Sequence, residues 1–173
     1  MHLYHTSSRE YAPFLFQSII EDHPAGMVSL LSIHGTDGRR SRPITDLIST
    51  LAGDEMHERG NILTAEIEDM NCRADHIMQP IFQWHDKAIQ SDNPIIIHCQ
   101  YGQSRSTAMA IGLMMREGAT MDEAFEGVEA GRQNSVMSRT KIVPDFGILS
   151  YFENMLKIEH GLLRRNSMDR FPF

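Results

Sequence analysis

The sequence predicts an α/β fold in which a central, mostly parallel sheet of four to five strands carries helices on both faces. Short apolar runs typical of strands alternate along the chain with longer segments of helical apolar spacing. One of those helices is apolar nearly all round, which is typical of a helix buried against a sheet. The length of 173 residues, 41% of them hydrophobic, favours a single domain over residues 1–173.

The first half of the chain contains three predicted strands and two predicted helices. The apolar patterns place strands at 2–6, 27–33 and 61–67, and helices at 11–21 and 44–51. The second of these helices is expected to end near Gly53, and a polar loop is expected at 34–40. Residues 1–60 carry fewer motifs than the rest of the domain.

The second half contains one predicted strand and four predicted helices. The strand is expected at 94–98 and the helices at 75–90, 106–116, 120–132 and 144–156. Pro80 predicts a kink or a later start for the first of them. Thr120 and Glu123 form the pattern of a capping box, and Pro144 is suited to a first helical turn. Residues 160–173 are expected to be a tail.

The most informative segment is HCQYGQSRS, residues 98–106, which lies between the last predicted strand and the apolar helix. A thiol becomes nucleophilic when it loses its proton, and a helix N-terminus or a nearby cation lowers its pKa. Arg105 supplies a permanent positive charge and a planar fork that fits two phosphate oxygens. The segment therefore predicts that Cys99 is a nucleophile that attacks phosphorus.

The other residues of this segment fit a phosphate-binding loop. Backbone N–H groups in a tight loop at a helix N-terminus can surround an anion. Gly102 is placed where such a loop needs a backbone conformation that other residues avoid. We expect Ser106 to donate to the Cys99 sulfur and His98 to orient the loop. The predicted phosphate-binding residues are Gln100, Tyr101, Gly102, Gln103, Ser104 and Arg105.

This segment resembles the signature loop of the cysteine-dependent protein tyrosine phosphatase superfamily, which reads His-Cys, five residues, Arg, then Ser or Thr. The compact dual-specificity branch is most similar, because its loop commonly has glycine at the position of Gly102 and Ser-Arg-Ser at 104–106. Tyr101 stands where that branch usually has a small residue, and Gln103 where it has an aliphatic or basic one. The resemblance implies a phosphatase-like fold and hydrolysis through a phosphocysteine intermediate.

The family also uses an aspartate as general acid, on a loop that follows a strand upstream of the cysteine. Asp69 follows the predicted strand at 61–67 and lies thirty positions before Cys99. We predict that Asp69 protonates the leaving oxygen, a role that accelerates such reactions by about 10²–10⁴-fold. Glu68 and Asp75 are the alternative acids. Another possibility is that Asp69 only caps a turn, as aspartate often does.

Composition excludes several classes of partner. The net charge of −7 disfavours nucleic acid and anionic membranes, and the chain has no apolar run of about 18 residues. The start of the chain lacks the pattern of a signal peptide, and two cysteines are too few for a disulfide framework. The nine histidines lack metal-ligand spacing. We therefore expect a cytoplasmic protein without metal or cofactor, and the sequence does not indicate an oligomeric state.

Alternatives to this interpretation stay open. Cys99 could be a buried structural cysteine or belong to a rhodanese-like sulfurtransferase. The substrate is expected to be a phosphorylated protein or small phosphomonoester, with an inositol phosphate, lipid or nucleotide as alternative. The loop contains no lysine, which favours a singly phosphorylated group. A binding module without turnover is a further alternative. Cys72 could form a disulfide with an oxidised Cys99 or have no role.

Overall fold

The computed structural model describes residues 2–22, 27–35, 43–53, 58–68, 75–133 and 142–171. In these ranges the chain forms one four-stranded sheet in the order β1-β4-β2-β3, and each pair of neighbouring strands is parallel. The strands are β1 at Tyr4–Ser8, β2 at Val28–His34, β3 at Gly60–Glu66 and β4 at Ile95–Cys99. The predicted α/β fold with a parallel sheet is confirmed.

Helices cover both faces of the sheet. One face carries α1 (Ala12–Asp22) and α2 (Ile44–Ala52), whose apolar side chains pack with Leu30 and Ile96 of the sheet. The other face carries the larger core. Its helices are α3 at Asp75–Gln90, α4 at Arg105–Arg116, α5 at Met121–Gln133, α6 at Phe146–Leu156 and α7 at Leu162–Arg170.

Strand β4 lies inside the sheet, between β1 and β2, and all five of its residues are buried. Ile95, Ile97 and Cys99 belong to the larger core, whereas Ile96 belongs to the smaller one, as the alternation of side chains along a strand requires. Because parallel strands end at a common edge, the cysteine at the end of β4 lies at the carboxyl edge of the sheet, where open α/β sheets bind ligands.

The element boundaries agree with the sequence patterns to within about two residues. The capping box forms as predicted, because Thr120 N donates to Glu123 Oε2 at 2.7 Å and Glu123 N donates to Thr120 Oγ1 at 3.3 Å. A later start of the helix at Pro80 was wrong, since α3 begins at Asp75. Pro80 lies in the first turns of the helix, where its missing N–H costs one bond to the carbonyl of His76.

Residues 162–170, expected to lie in a tail, form α7 and pack against the core through the fully buried Leu163. The carboxylate of Glu153 in α6 accepts hydrogen bonds from Gly161 N at 2.8 Å and Leu163 N at 2.7 Å. A carboxylate at a helix N-terminus satisfies N–H groups that lack a partner inside the helix. Among the residues described, no helix is long and apolar enough to cross a membrane.

Candidate active site

Cys99 is the last residue of β4 and pairs in register with Ser8, the last residue of β1. Its thiol is free and only 2% of the residue is exposed. The chain then turns through residues 100–104 and enters α4 at Arg105. The strand, the tight loop and the helix N-terminus therefore occur in the order that the sequence predicts.

The surroundings of the Cys99 sulfur favour its thiolate form. Burial raises the pKa of the thiol, but hydrogen bonds from the Ser106 hydroxyl and from the amides of Ser106, Ser104 and Gly102 lower it by more. The Ser106 Oγ lies 3.4 Å from Cys99 Sγ. The net effect is a pKa below the ordinary value for cysteine, which is what a nucleophilic thiol requires.

Four carbonyls of the loop at 100–104 accept hydrogen bonds from groups outside the loop. A trans peptide directs its N–H opposite to its carbonyl, so these bonds leave the N–H groups of the following residues facing the loop interior. Such a concave set of N–H groups is an anion site. The outer bonds are Arg9 N to Gln100 O at 3.3 Å, Arg132 Nη1 to Gly102 O at 2.6 Å, Val143 N to Gln103 O at 3.0 Å, and Ala108 N and Asp145 N to Ser104 O at 3.0 and 3.4 Å.

Gly102 is the point at which the loop touches β1. Its φ of +68° lies in the left-handed region, and a Cβ there would stand 2.6 Å from the carbonyl carbon of Ser7 and 2.7 Å from Ser8 N. Both the conformation and the close approach require glycine. The neighbouring Tyr101 is 69% exposed, so its ring does not fill the centre of the loop.

Arg105 is buried at the first position of α4, and its Nη1 donates to Ile67 O at 2.9 Å. This bond ties the guanidinium to the chain that leaves β3. A Cβ on Gly35 would stand 3.0 Å from Glu68 Oε2 and 3.4 Å from Arg105 Nη1, so the carboxylate and the guanidinium both lie close to Gly35. The residues before Asp69 are therefore anchored next to Arg105.

His98 is fully buried, and burial lowers its pKa to about 3, with smaller contributions from the backbone of Cys99, which raises it, and from the charges of Arg9 and His34, which lower it. The ring is therefore neutral at physiological pH. Its Nδ1 lies 3.5 Å from Cys99 O, which is at the limit of a hydrogen bond. This environment suits a structural role beside the loop and does not suit a proton carrier.

Comparison with known proteins gives one match in sequence to a protein-tyrosine-phosphatase and several matches in structure. No protein-family model matches the sequence. Protein-tyrosine-phosphatase MKP1 of Arabidopsis thaliana is 37% identical over 57 residues, which are 32% of this chain and only 7% of that protein. The crystal structure of human tyrosine phosphatase-like serine/threonine/tyrosine-interacting protein matches with a TM-score of 0.61 at 17% identity, over 90% of this chain and 91% of that one. Human DUSP28 matches with a TM-score of 0.61 at 17% identity, over 91% and 95% of the two chains.

The chain has a protein tyrosine phosphatase-like fold. The fold implied by the resemblance in residues 98–106 is thus confirmed. In this fold the Cys99 loop lies at the carboxyl end of a central strand, and the N-terminus of α4 points toward the loop. The helix dipole adds positive potential at that point.

The structure describes two of the three candidate acids. Asp69 lies outside the described residues, as does Cys72. Glu68 lies beside Gly35 and Arg105, as described above. Asp75 begins α3, where its Oδ1 accepts a hydrogen bond from the Tyr151 hydroxyl at 2.9 Å. Of the two alternatives, Glu68 is therefore the one that lies near Arg105.

Sequence reasoning missed Arg132, which is 3% exposed and donates to the loop carbonyl of Gly102. Its only local signal is a Gly-Arg pair, Gly131-Arg132, at the end of an amphipathic helix. No group of three or more metal-binding side chains occurs in the described ranges of this phosphatase-like fold.

Proposed function

We propose that this chain is a phosphomonoester hydrolase of the protein tyrosine or dual-specificity kind, acting through a phosphocysteine intermediate. The observation that carries the proposal is the set of hydrogen bonds on Cys99 Sγ, from the Ser106 hydroxyl and from the amides of Gly102, Ser104 and Ser106, at the N-terminus of α4. Groups that stabilise a thiolate at the bottom of an anion site prepare it to attack phosphorus.

In the first step the Cys99 thiolate forms a bond to phosphorus while the phosphorus–oxygen ester bond breaks. Arg105 and the loop N–H groups hold the equatorial oxygens, so the positive field is in place before charge develops. Asp69 gives its proton to the leaving oxygen, which departs as an alcohol or phenol. The product held on the protein is S-phosphocysteine.

In the second step a water molecule attacks the phosphocysteine. The oxygen of water bonds to phosphorus, the sulfur–phosphorus bond breaks, and the Asp69 carboxylate takes the proton. Inorganic phosphate leaves, and Cys99 returns to the thiolate stabilised by Ser106. The charge needed in both steps comes from Arg105, the loop amides and the dipole of α4.

The proposed substrate is a singly phosphorylated residue of a protein or a small phosphomonoester. Gln100, Tyr101 and Gln103 add no cation to the loop, so the charge available matches one phosphate group better than a polyphosphorylated headgroup. A binding module without turnover is the second candidate, because one of the fold neighbours is described as a phosphatase-like interacting protein.

The deciding experiment measures hydrolysis of an aryl phosphate with chelator present, from pH 5 to pH 8, by wild type, Cys99→Ser and Cys72→Ser. We expect turnover in wild type and in Cys72→Ser, the matched cysteine control, and none in Cys99→Ser. Acid quenching of wild type during turnover should leave phosphate bound covalently to Cys99. Wild type that binds phosphate but never releases product would favour the binding module.

The general acid is identified by comparing Asp69→Asn, Glu68→Gln and Asp75→Asn on aryl and alkyl phosphates. Loss of an acid slows a poor alkoxide leaving group far more than an activated phenoxide, whereas a misplaced Arg105 slows both alike. We expect the strong leaving-group dependence in Asp69→Asn alone. The same dependence in Glu68→Gln, with Asp69→Asn close to wild type, would transfer the role to Glu68.

A further inference from the structure

Arg132 is a buried cation that lies behind the phosphate-binding loop. It is the penultimate residue of α5 and only 3% exposed, and its Nη1 donates to Gly102 O at 2.6 Å. Burial lowers the pKa of the guanidinium, while the negative charge of Cys99 raises it. A charge is costly to bury unless a nearby group of opposite sign or polarity compensates it, and here the loop supplies both.

The preceding residue explains how Arg132 reaches the loop. A Cβ on Gly131 would stand 2.1 Å from the carbonyl oxygen of Tyr4, so α5 touches the backbone of β1 at that point. Strand β1 pairs with β4 as far as Ser8 and Cys99. Because the end of α5 lies against the strand that borders the nucleophile, the next side chain along α5 extends to the loop carbonyl.

The hydrogen bond from Arg132 fixes one peptide plane of the loop. With the Gly102 carbonyl held outward, the N–H of Gln103 is directed toward the loop interior. Arg105 occupies a different place, since it begins α4 and bonds to Ile67 O on the side of β3. The two arginines therefore hold the loop from different elements, and Arg132 does so from behind.

We propose that Arg132 is a positioning residue for the reaction, which directs the Gln103 N–H at the bound phosphate and places a buried positive charge behind the Cys99 thiolate. This inference rests on the proposed function, because it takes the anion bound in the loop to be the phosphate group of a substrate. It adds to that function a residue that acts through the loop without touching the substrate.

The test uses Arg132→Gln and Arg132→Lys in a Cys72→Ser background, so that Cys99 is the single thiol. Arg165→Gln is the matched control, because that exposed arginine pairs with Glu159 and its loss changes the net charge equally. The readouts are the pH dependence of Cys99 alkylation by iodoacetamide, kcat and KM for an aryl phosphate, and the unfolding midpoint. Alkylation reports the thiolate without any turnover.

We expect Arg132→Gln to move the alkylation midpoint up by about one pH unit, as loss of a nearby opposite charge does. Its kcat should fall by about 10²-fold, the cost of small misplacement at a reacting centre. Arg132→Lys keeps the positive charge, so its alkylation midpoint should stay close to that of the parent. Its kcat should fall by about tenfold, because an ammonium lacks the planar fork of the guanidinium. Arg165→Gln should match the parent in both.

A folded Arg132→Gln with the midpoint and kcat of the parent would overturn the inference. If Arg132→Gln does not fold, Arg132→Lys is the test, and a kcat of Arg132→Lys equal to that of the parent would overturn the inference. If the parent turns over no phosphomonoester but the midpoint still shifts in Arg132→Gln, the proposed function fails while the effect of Arg132 on the thiolate stands.

Discussion

Gly112 of α4 lies against the ring of Phe152 in α6 so closely that a Cβ on Gly112 would stand 2.1 Å from Phe152 Cδ2. Both residues lie in the buried part of their helices. The contact sets how near α6 comes to the helix whose N-terminus carries Arg105. A glycine in the middle of a helix, usually a weakness, is here a condition of packing.

The substitution Gly112→Ala should destabilise the protein. In a helix without this contact the change would stabilise by about 1 kcal/mol, because alanine is the better helix former. Against Phe152 the added methyl overpacks the core, at a cost of about 1–3 kcal/mol. Urea unfolding measures the difference. In Gly112→Ala with Phe152→Leu the two effects should be less than additive, and simple additivity would argue against the contact.

The substitution Gly102→Ala should lower kcat by about 10²-fold or more through displacement of the loop. The new Cβ would stand 2.6 Å from the Ser7 carbonyl carbon, at a φ of +68°. Gly118→Ala is the matched control, because Gly118 also has a positive φ of +96° but a Cβ there meets nothing within 4 Å. Equal loss of aryl phosphatase activity in both variants would mean that strain alone, not the contact with β1, explains the effect.

The substitution Ser106→Ala should raise the pKa of the Cys99 thiol by about one to two units. It removes the hydroxyl 3.4 Å from the sulfur, and a hydrogen bond to a charged group contributes about 1.5–3 kcal/mol. Alkylation of Cys99 as a function of pH measures the shift. Thr107→Val is the control, since the buried hydroxyl of Thr107 has no hydrogen-bond partner among the described residues. A midpoint that moves equally in both variants would remove Ser106 from its assigned role.

The protein should lose stability as the pH falls below about 6.5. Burial lowers the folded-state pKa of His98 to about 3 from its ordinary 6.5, so the unfolded chain binds more protons in this window. The contribution is fully present above pH 6.5 and decreases by up to about 1.4 kcal/mol for each pH unit below it. Burial also lowers the pKa of His5 and His85, which adds to the same slope.

Thermal or urea unfolding between pH 4 and pH 8 measures this slope. His98→Asn cannot take up the proton, so its stability should depend less steeply on pH than that of wild type. Identical slopes for the two proteins would show that His98 is not the group that titrates.

The elements of the fold could be predicted because their signals are local. The apolar run at 95–97 and the capping box at Thr120 depend on neighbours in sequence, and the strands and helices follow them closely. The prediction that Pro144 lies in a first helical turn was wrong, because α6 begins at Phe146 and its N-cap is Asp145, whose side chain accepts a hydrogen bond from Ile148 N. The loop at 98–106 is also one continuous segment, so its residues and its strand–loop–helix setting could be identified together.

The supports of the site could not be predicted, because they come from distant segments. Apart from Ala108, which is four positions after Ser104 in the sequence, the partners of the loop carbonyls belong to residues 9, 132, 143 and 145, and no periodicity connects these positions with Cys99. The packing of α7 depends in the same way on the buried carboxylate of Glu153, which belongs to another helix. Such contacts follow from tertiary packing and leave no local pattern.

The hydrogen bonds to the loop carbonyls form late while the chain is being synthesised. Their partners lie on both sides of the thiol in the sequence, from Arg9 to Asp145. Domains fold as units once enough chain has emerged, and contacts between distant segments close late. A nascent chain that ends before residue 143 therefore carries Cys99 on a loop whose carbonyls lack the bonds from Val143 and Asp145, so the loop takes its final form only after those residues have been made.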